Sequence, residues 1–215
     1  ALQKVIVSGG DIELLRTTMV AAARATRATP KTSWWLTSSL KYFLEHNDTP
    51  RIRATAAAGL GILGGAPSVD VLLELAVDSP RGRALIGEEE VEVELRAHAI
   101  YGLALLGGEV GSEDRRSIVD ELVILIDDED EADELRAAAV FAMGFVPLSA
   151  TGGGDCCTCG ECEVGAAADH REGQITWLVR LLHDGRESDL VRAETAGALA
   201  RLVAGPEGNV PRRLK

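Results

Sequence analysis

One ten-residue phrase recurs four times along the chain, at 52–61, 95–104, 135–144 and 191–200. Each copy opens with an aliphatic residue, then Arg, then Ala: Ile52-Arg53-Ala54, Leu95-Arg96-Ala97, Leu135-Arg136-Ala137 and Val191-Arg192-Ala193. A small residue stands at the fifth and eighth positions, and Leu or Met at the ninth. A fainter copy begins at Leu15-Arg16, with Val20 and Ala22 in register. A period of this kind marks an array of similar units. One such unit cannot bury its own apolar face, so neighbouring units must stack to make a continuous core.

Arg53, Arg96, Arg136 and Arg192 are separated by 43, 40 and 56 residues. The last gap is the outlier. Its excess falls on 149–169, where Gly and Cys replace the aliphatic composition of the rest. The spacing therefore predicts a repeat of about 40 residues with one inserted loop, taken as about 149–173.

Each phrase is helical by its pattern. The opener, the small residue four positions on and the Leu or Met eight on share one face at a 3.6-residue period. Alanine and glycine at the contact positions let neighbouring helices approach closely. An apolar helical segment precedes each phrase, at 34–45, 68–77, 114–126 and 174–182. Turn chemistry separates them at Asn47-Asp48-Thr49-Pro50, Gly64-Gly65-Ala66-Pro67, Asp78-Ser79-Pro80, Gly107-Gly108 and His183-Asp184-Gly185. Sustained polar–apolar alternation is missing, so no sheet is predicted. The fold class is all-α.

Helix pairs of about 40 residues whose second helix opens with an aliphatic-Arg-Ala phrase resemble HEAT repeats, particularly the bacterial HEAT-like type first associated with bilin lyases (the PBS-lyase type). The resemblance covers 11–204. It implies one right-handed α-α superhelix, a solenoid domain over 1–215 with four to five repeats, ending in a basic tail at 206–215. It also implies a structural ladder in which Arg53, Arg96, Arg136 and Arg192 bond acidic residues near the preceding turns. Asp48, Asp128 and Asp184 are the partners it suggests, while the connection before Arg96 is irregular and lacks an obvious one. A long concave surface suits a non-catalytic protein-binding scaffold, as a chain by itself or a segment of a larger assembly. The repeat carries no catalytic signature, since fold does not determine function.

Charge narrows the partners. The chain has 34 acidic and 22 basic residues among 215, a net charge of −12. A large phosphate contact needs clustered Lys and Arg, so nucleic acid is disfavoured. Hydrophobic runs fall short of the roughly 18 residues a membrane span requires, and no basic amphipathic stretch suits an anionic membrane surface. The opening residues show no basic stretch leading into an apolar one, so no signal peptide is expected. The acidic runs at 88–94 and 127–134 read as solvated loops leading into helix starts; neither has the ligand alternation and central Gly of an EF-hand.

All four cysteines, Cys156, Cys157, Cys159 and Cys162, lie within seven residues of the inserted loop. The Cys159-x-x-Cys162 gap is that of a zinc knuckle, and His170 could complete a site with Cys156 or Cys157. A structural zinc site usually takes two separated pairs, and only one pair is present. Disulfides in an exported chain are the rival, and an uncommitted loop is the third reading. Zinc is thus the one candidate cofactor. Localisation follows the same split: cytoplasmic with reduced or metal-bound thiols, exported with disulfides. The alternative function is an enzyme or metal-dependent regulator, lyase-like or zinc/redox, using this loop. No HExxH, GxSxG, P-loop or GxGxxG motif supports an enzyme.

The repeat also predicts a row of surface positions. The seventh position of the phrase holds Ala58, Tyr101, Phe141 and Gly197, and one turn on lie Ile62, Leu105, Phe145 and Arg201. His98 sits one turn before Tyr101. His98, Tyr101, Phe141 and Phe145 form a candidate partner-binding patch of aromatic anchors; the competing reading packs them between helix layers.

Overall fold

The computed structural model describes residues 11–27, 33–149 and 170–204. All regular elements among them are helical, and no strand is present. They are α1 (Ile12–Arg27), α2 (Ser33–His46), α3 (Pro50–Leu63), α4 (Val69–Ala76) preceded by the 3₁₀ turn Ala66–Ser68, α5 (Pro80–Ile86), α6 (Val93–Leu106), α7 (Ser112–Asp127), α8 (Asp133–Met143), α9 (Arg171–His183) and α10 (Asp189–Ala204). The four repeated phrases open α3, α6, α8 and α10, and the faint copy lies on α1. The chain divides into two compact units, Ala1–Glu109 and Val110–Lys215. The sequence reading anticipates a single domain over 1–215.

In the first unit α2 packs against α3 and α4 against α6, while the short α5 rests on α4 and α2. The helices that carry the phrase stack side by side, α1 on α3 and α3 on α6. The second unit repeats the scheme: α7 packs on α8, α9 on α10, and α8 on α10. The stacking face is the one the phrase encodes. Its fifth and ninth positions, Ala56, Leu60, Ala99, Leu103, Ala139 and Met143, are fully buried. Glycine at the tenth position, Gly61 and Gly144, brings backbones together. A Cβ on Gly61 would stand 2.4 Å from Gly102 Cα, and one on Gly144 would stand 2.7 Å from Ala198 Cα.

The recurring arginines cap helix ends. A helix leaves its last carbonyls without intrahelical donors, and a cation suits that negative end. Nε of Arg96 donates to Ala76 O at 2.9 Å, Nε of Arg136 to Ile126 O at 2.9 Å, and Nε of Arg192 to Leu182 O at 3.4 Å. Arg136 and Arg192 thus tie α8 and α10 to the ends of α7 and α9, while Arg96 ties α6 to the end of α4, passing over the short α5. Arg53 caps α5 instead, through Ile86 O at 3.1 Å. The carboxylates differ from the anticipated set. Arg53 pairs with Glu88 at 3.1 Å and Arg136 with Glu187 at 2.8 Å. Both acids lie in the loop before the next phrase-bearing helix, so the tie runs forward along the chain. Asp184 pairs with Arg186 at 2.8 Å, and Asp128 accepts the Asp130 N–H at 3.0 Å. Phrase spacing cannot distinguish a partner before the arginine from one in the following loop.

The irregular connection before Arg96 contains a short helix where the sequence reads only a turn. Asp78-Ser79-Pro80 starts α5: the Ser79 hydroxyl accepts the Gly82 N–H at 3.0 Å, and Pro80 takes the first helical position. Asp78 organises this region. Its carboxylate accepts from Arg83 at 2.9 and 2.6 Å and from Val91 N–H at 2.7 Å. Burial pushes this carboxyl up, but those bonds and the charges of Arg83 and Arg96 outweigh it and hold it below the usual carboxylate range.

In the second unit the borders of the inserted loop meet. Arg171 N–H donates to Ser149 O at 3.1 Å. The fully buried Gln174 accepts the Leu148 N–H at 2.9 Å and donates to Val146 O at 3.0 Å. Entry and exit of the insertion are therefore stitched together, and α8 reaches α10 directly.

Candidate functional site

The phrase-bearing helices of the first unit enclose an open cleft of about 530 Å³. Its floor is α3, through Thr55 and Ala58, and one wall is α6, through His98. The other wall is α1, through Glu13, Arg16, Thr17, Val20, Ala21 and Arg24. Two features of the repeat create this space. The seventh position of the phrase is Ala on both α1 and α3, as Ala21 and Ala58, so side chains leave the centre empty. The parallel run of the three helices makes the space a groove. At one end Arg16 Nε donates to Thr55 Oγ1 at 2.9 Å. At the other end Arg27 reaches Ile62 O at 3.5 Å and forms an ion pair with Glu109, tying α1 to the loop beyond α6 across α3.

The groove's polar groups are mostly donors. Arg16 is held by Glu13, with Nη1 to Oε1 at 3.0 Å. The Thr55 hydroxyl donates to Arg51 O at 2.7 Å, so its proton is used within α3 and one lone pair accepts from Arg16. Arg24 is exposed and has no carboxylate partner among the described residues. His98 is half-buried, and its Nδ1 donates to Glu94 O at 2.8 Å, leaving Nε2 as the ring nitrogen available to a ligand. Beyond His98 the same face of α6 presents Tyr101, 41% exposed, and Leu105, also exposed. The face of the groove is thus an apolar strip beside a cationic rim.

In the second unit the equivalent positions are filled. Phe141 and Phe145 lie 4.9 Å apart, and the Arg201 guanidinium stands 4.6 Å from the centroid of each ring. This is a double cation–π contact. It accounts for Arg201 Nε and Nη2, which are buried without a hydrogen-bond acceptor, because the ring faces supply the negative potential instead. Gly144 makes the room: a Cβ there would stand 2.8 Å from Arg201 Nε. Phe145 remains 42% exposed while Phe141 is half-buried.

The four residues read as one patch therefore fall into two sets. His98 and Tyr101 belong to the first unit, Phe141 and Phe145 to the second. The α1 wall was missed by sequence reasoning. Its only signal was the faint copy at Leu15-Arg16, which marks α1 as a member of the stacked row. A further exposed patch lies on α2, where Trp34 is 71% exposed and Tyr42 stacks on His46 with ring centroids 4.4 Å apart.

Cys156, Cys157, Cys159 and Cys162 lie outside the described residues. His170 is described: it is half-buried just before α9, and its carbonyl accepts the Gln174 N–H at 3.0 Å. Among the described residues no cluster of three His, Cys, Asp or Glu side chains converges to hold a metal ion, and no helix is long and apolar enough to cross a membrane. In sequence comparisons no protein-family model and no curated protein matches the chain.

Proposed function

We propose that the chain is a HEAT-like repeat protein of the solenoid type, acting as a non-catalytic protein-binding scaffold. The docking surface is the open face of the stacked, phrase-bearing helices. One observation carries this reading: the groove over α3 is walled by α1 and α6, and exposed Tyr101 and Leu105 continue its apolar strip. Recognition surfaces concentrate aromatic and Arg side chains around partly desolvated pockets, and this groove has both types.

The test is site-directed photo-crosslinking. A photoreactive residue in place of Ala58, on the groove floor, is compared with one in place of Arg81, an exposed side chain on α5. Extract of the native host should yield a discrete crosslinked partner at position 58 and none at 81. Ala21→Phe, which fills the groove from α1, should abolish capture at position 58 while the circular dichroism spectrum stays unchanged. Equal capture at both positions, or capture unaffected by Ala21→Phe, overturns the reading.

A further inference from the structure

We infer that the groove over α3 selects an acidic peptide segment, one that alternates carboxylates with aliphatic or aromatic residues. This rests on the proposed scaffold function and names the chemistry of the partner. The argument begins with the donors. In the groove the single carboxylate, Glu13, is consumed by Arg16 at 3.0 Å. That leaves the whole guanidinium of Arg24 and the outer edge of Arg16 facing the open space. A groove with surplus donors and its only carboxylate engaged calls for an acceptor-rich ligand, and a guanidinium takes a carboxylate through two parallel N–H···O bonds.

The setting sharpens this. The chain as a whole carries −12, so a cationic rim stands against the general field. Screening over roughly 8 Å at physiological ionic strength makes the local charges decide what binds at contact. The rest of the groove selects against a bare anion. Val20 and Ala58 offer apolar floor, and Tyr101 and Leu105 extend it along α6, so the occupant must also carry apolar side chains. A polynucleotide fits poorly: affinity for its backbone grows with the number of phosphates neutralised, and this groove offers two arginines beside a carboxylate.

The test uses a short fluorescent peptide of alternating Glu and Leu, with Glu→Gln and Glu→Lys counterparts and a single-stranded oligonucleotide as competitor. Binding is read by anisotropy on the full chain and located by chemical shifts of residues on α1, α3 and α6. The Glu peptide should bind at least about tenfold more tightly than the Gln peptide, with affinity falling as salt rises. Arg24→Glu should weaken it by about tenfold or more and improve binding of the Lys peptide; Arg24 is exposed, so folding should be unaffected. Equal binding of Glu and Gln peptides, insensitivity to Arg24→Glu, shifts confined to other helices, or displacement by the oligonucleotide at matched charge overturns the inference. So does salt-reversible self-association that excludes the peptide, since the occupant would then be an acidic run of a second copy. Crosslinking at position 58 separates the two readings. A partner captured there whose contacting segment is not acidic removes the charge inference and leaves the scaffold. No capture there removes the scaffold reading, whatever the peptide does.

Discussion

The two units use the same helix-stacking scheme and treat its open face in opposite ways. In the first, the seventh phrase position is Ala21 and Ala58, and a groove of about 530 Å³ remains. In the second, Phe141 and Phe145 occupy the corresponding rows and Arg201 lies against both rings. Fifth- and ninth-position residues are buried in both, with only the last helix relaxing the rule. The stacking face and the open face are therefore set by separate positions of one phrase. A repeat can change what its surface offers without touching what holds it together.

The largest effect should come from the buried tie. The Arg136 side chain is 6% exposed and bridges Ile126 O and Glu187, whereas the Arg192 side chain is 44% exposed with no phrase-bearing helix beyond it among the described residues. Arg136→Leu should cost about 3 kcal/mol, because it strands a carboxylate and a helix end. Arg192→Leu should cost about 0.5 kcal/mol. Urea denaturation of both variants checks the contrast, and equal costs would break the idea of a buried ladder.

Close approach comes next. Gly61→Ala sets a methyl group 2.4 Å from the Gly102 backbone, and Gly144→Ala sets one 2.7 Å from the Ala198 backbone and 2.8 Å from Arg201 Nε. Overpacking of this kind should cost about 2–3 kcal/mol at Gly61 and about 1–2 kcal/mol at Gly144, where the approach is less close. Thermal midpoints in the two single variants should fall in that order.

A smaller change should follow Phe145→Ala. It removes one ring from the Arg201 contact and should cost about 1 kcal/mol. The double variant with Phe141→Ala should be less than additive, since both rings share one guanidinium. Tyr101→Ala in the first unit should leave stability nearly unchanged and weaken partner binding by about 1–3 kcal/mol. A large loss of stability there would assign Tyr101 to packing.

The smallest effect separates two carboxylates. Burial pushes Asp127 up, Glu187 adds to the rise, and Arg136 only partly offsets both. Its folded pKa exceeds the unfolded one, so ionisation costs stability and protonation recovers it as pH falls through the folded value. Asp127→Asn should therefore stabilise the chain slightly at neutral pH, the effect being damped by solvent screening of an exposed carboxylate, with the gain vanishing in mild acid. Asp78 works in the opposite sense. Its stabilising effect is present above the ordinary Asp pKa and fades as pH falls through the lowered folded one. Asp184, lowered to about 2 by its hydrogen bonds with Arg186, shares that direction. Urea midpoints of Asp127→Asn and Asp78→Asn measured across acid pH should move oppositely relative to wild type.

Much of the helical architecture was legible in the phrase itself. Its spacing located the stacked helices, because burial at fixed intervals leaves a period that one chain displays unaided. The apolar segments at 34–45, 114–126 and 174–182 likewise correspond to α2, α7 and α9 within a few residues. The turn at Asp78-Ser79 is present, but the short helix it opens went unread, because Ser followed by Pro also caps a helix start. The site was far less legible. Tyr101 and His98 stood out by residue type, but Arg24 did not, since an arginine on an acidic chain reads as one more solvated charge.

The sequence by itself determined that the regular elements among the described residues are helices and that a row of similar helices packs through small residues at fixed positions. These properties depend on the order of side chains along one helix. Which acid meets each arginine was decided only by the tertiary structure, since Glu88 and Glu187 lie 35 and 51 residues from their partners. The groove belongs to the same class. It exists because Ala21, Ala58 and His98 converge from three helices, and an empty volume leaves no mark on any one of them.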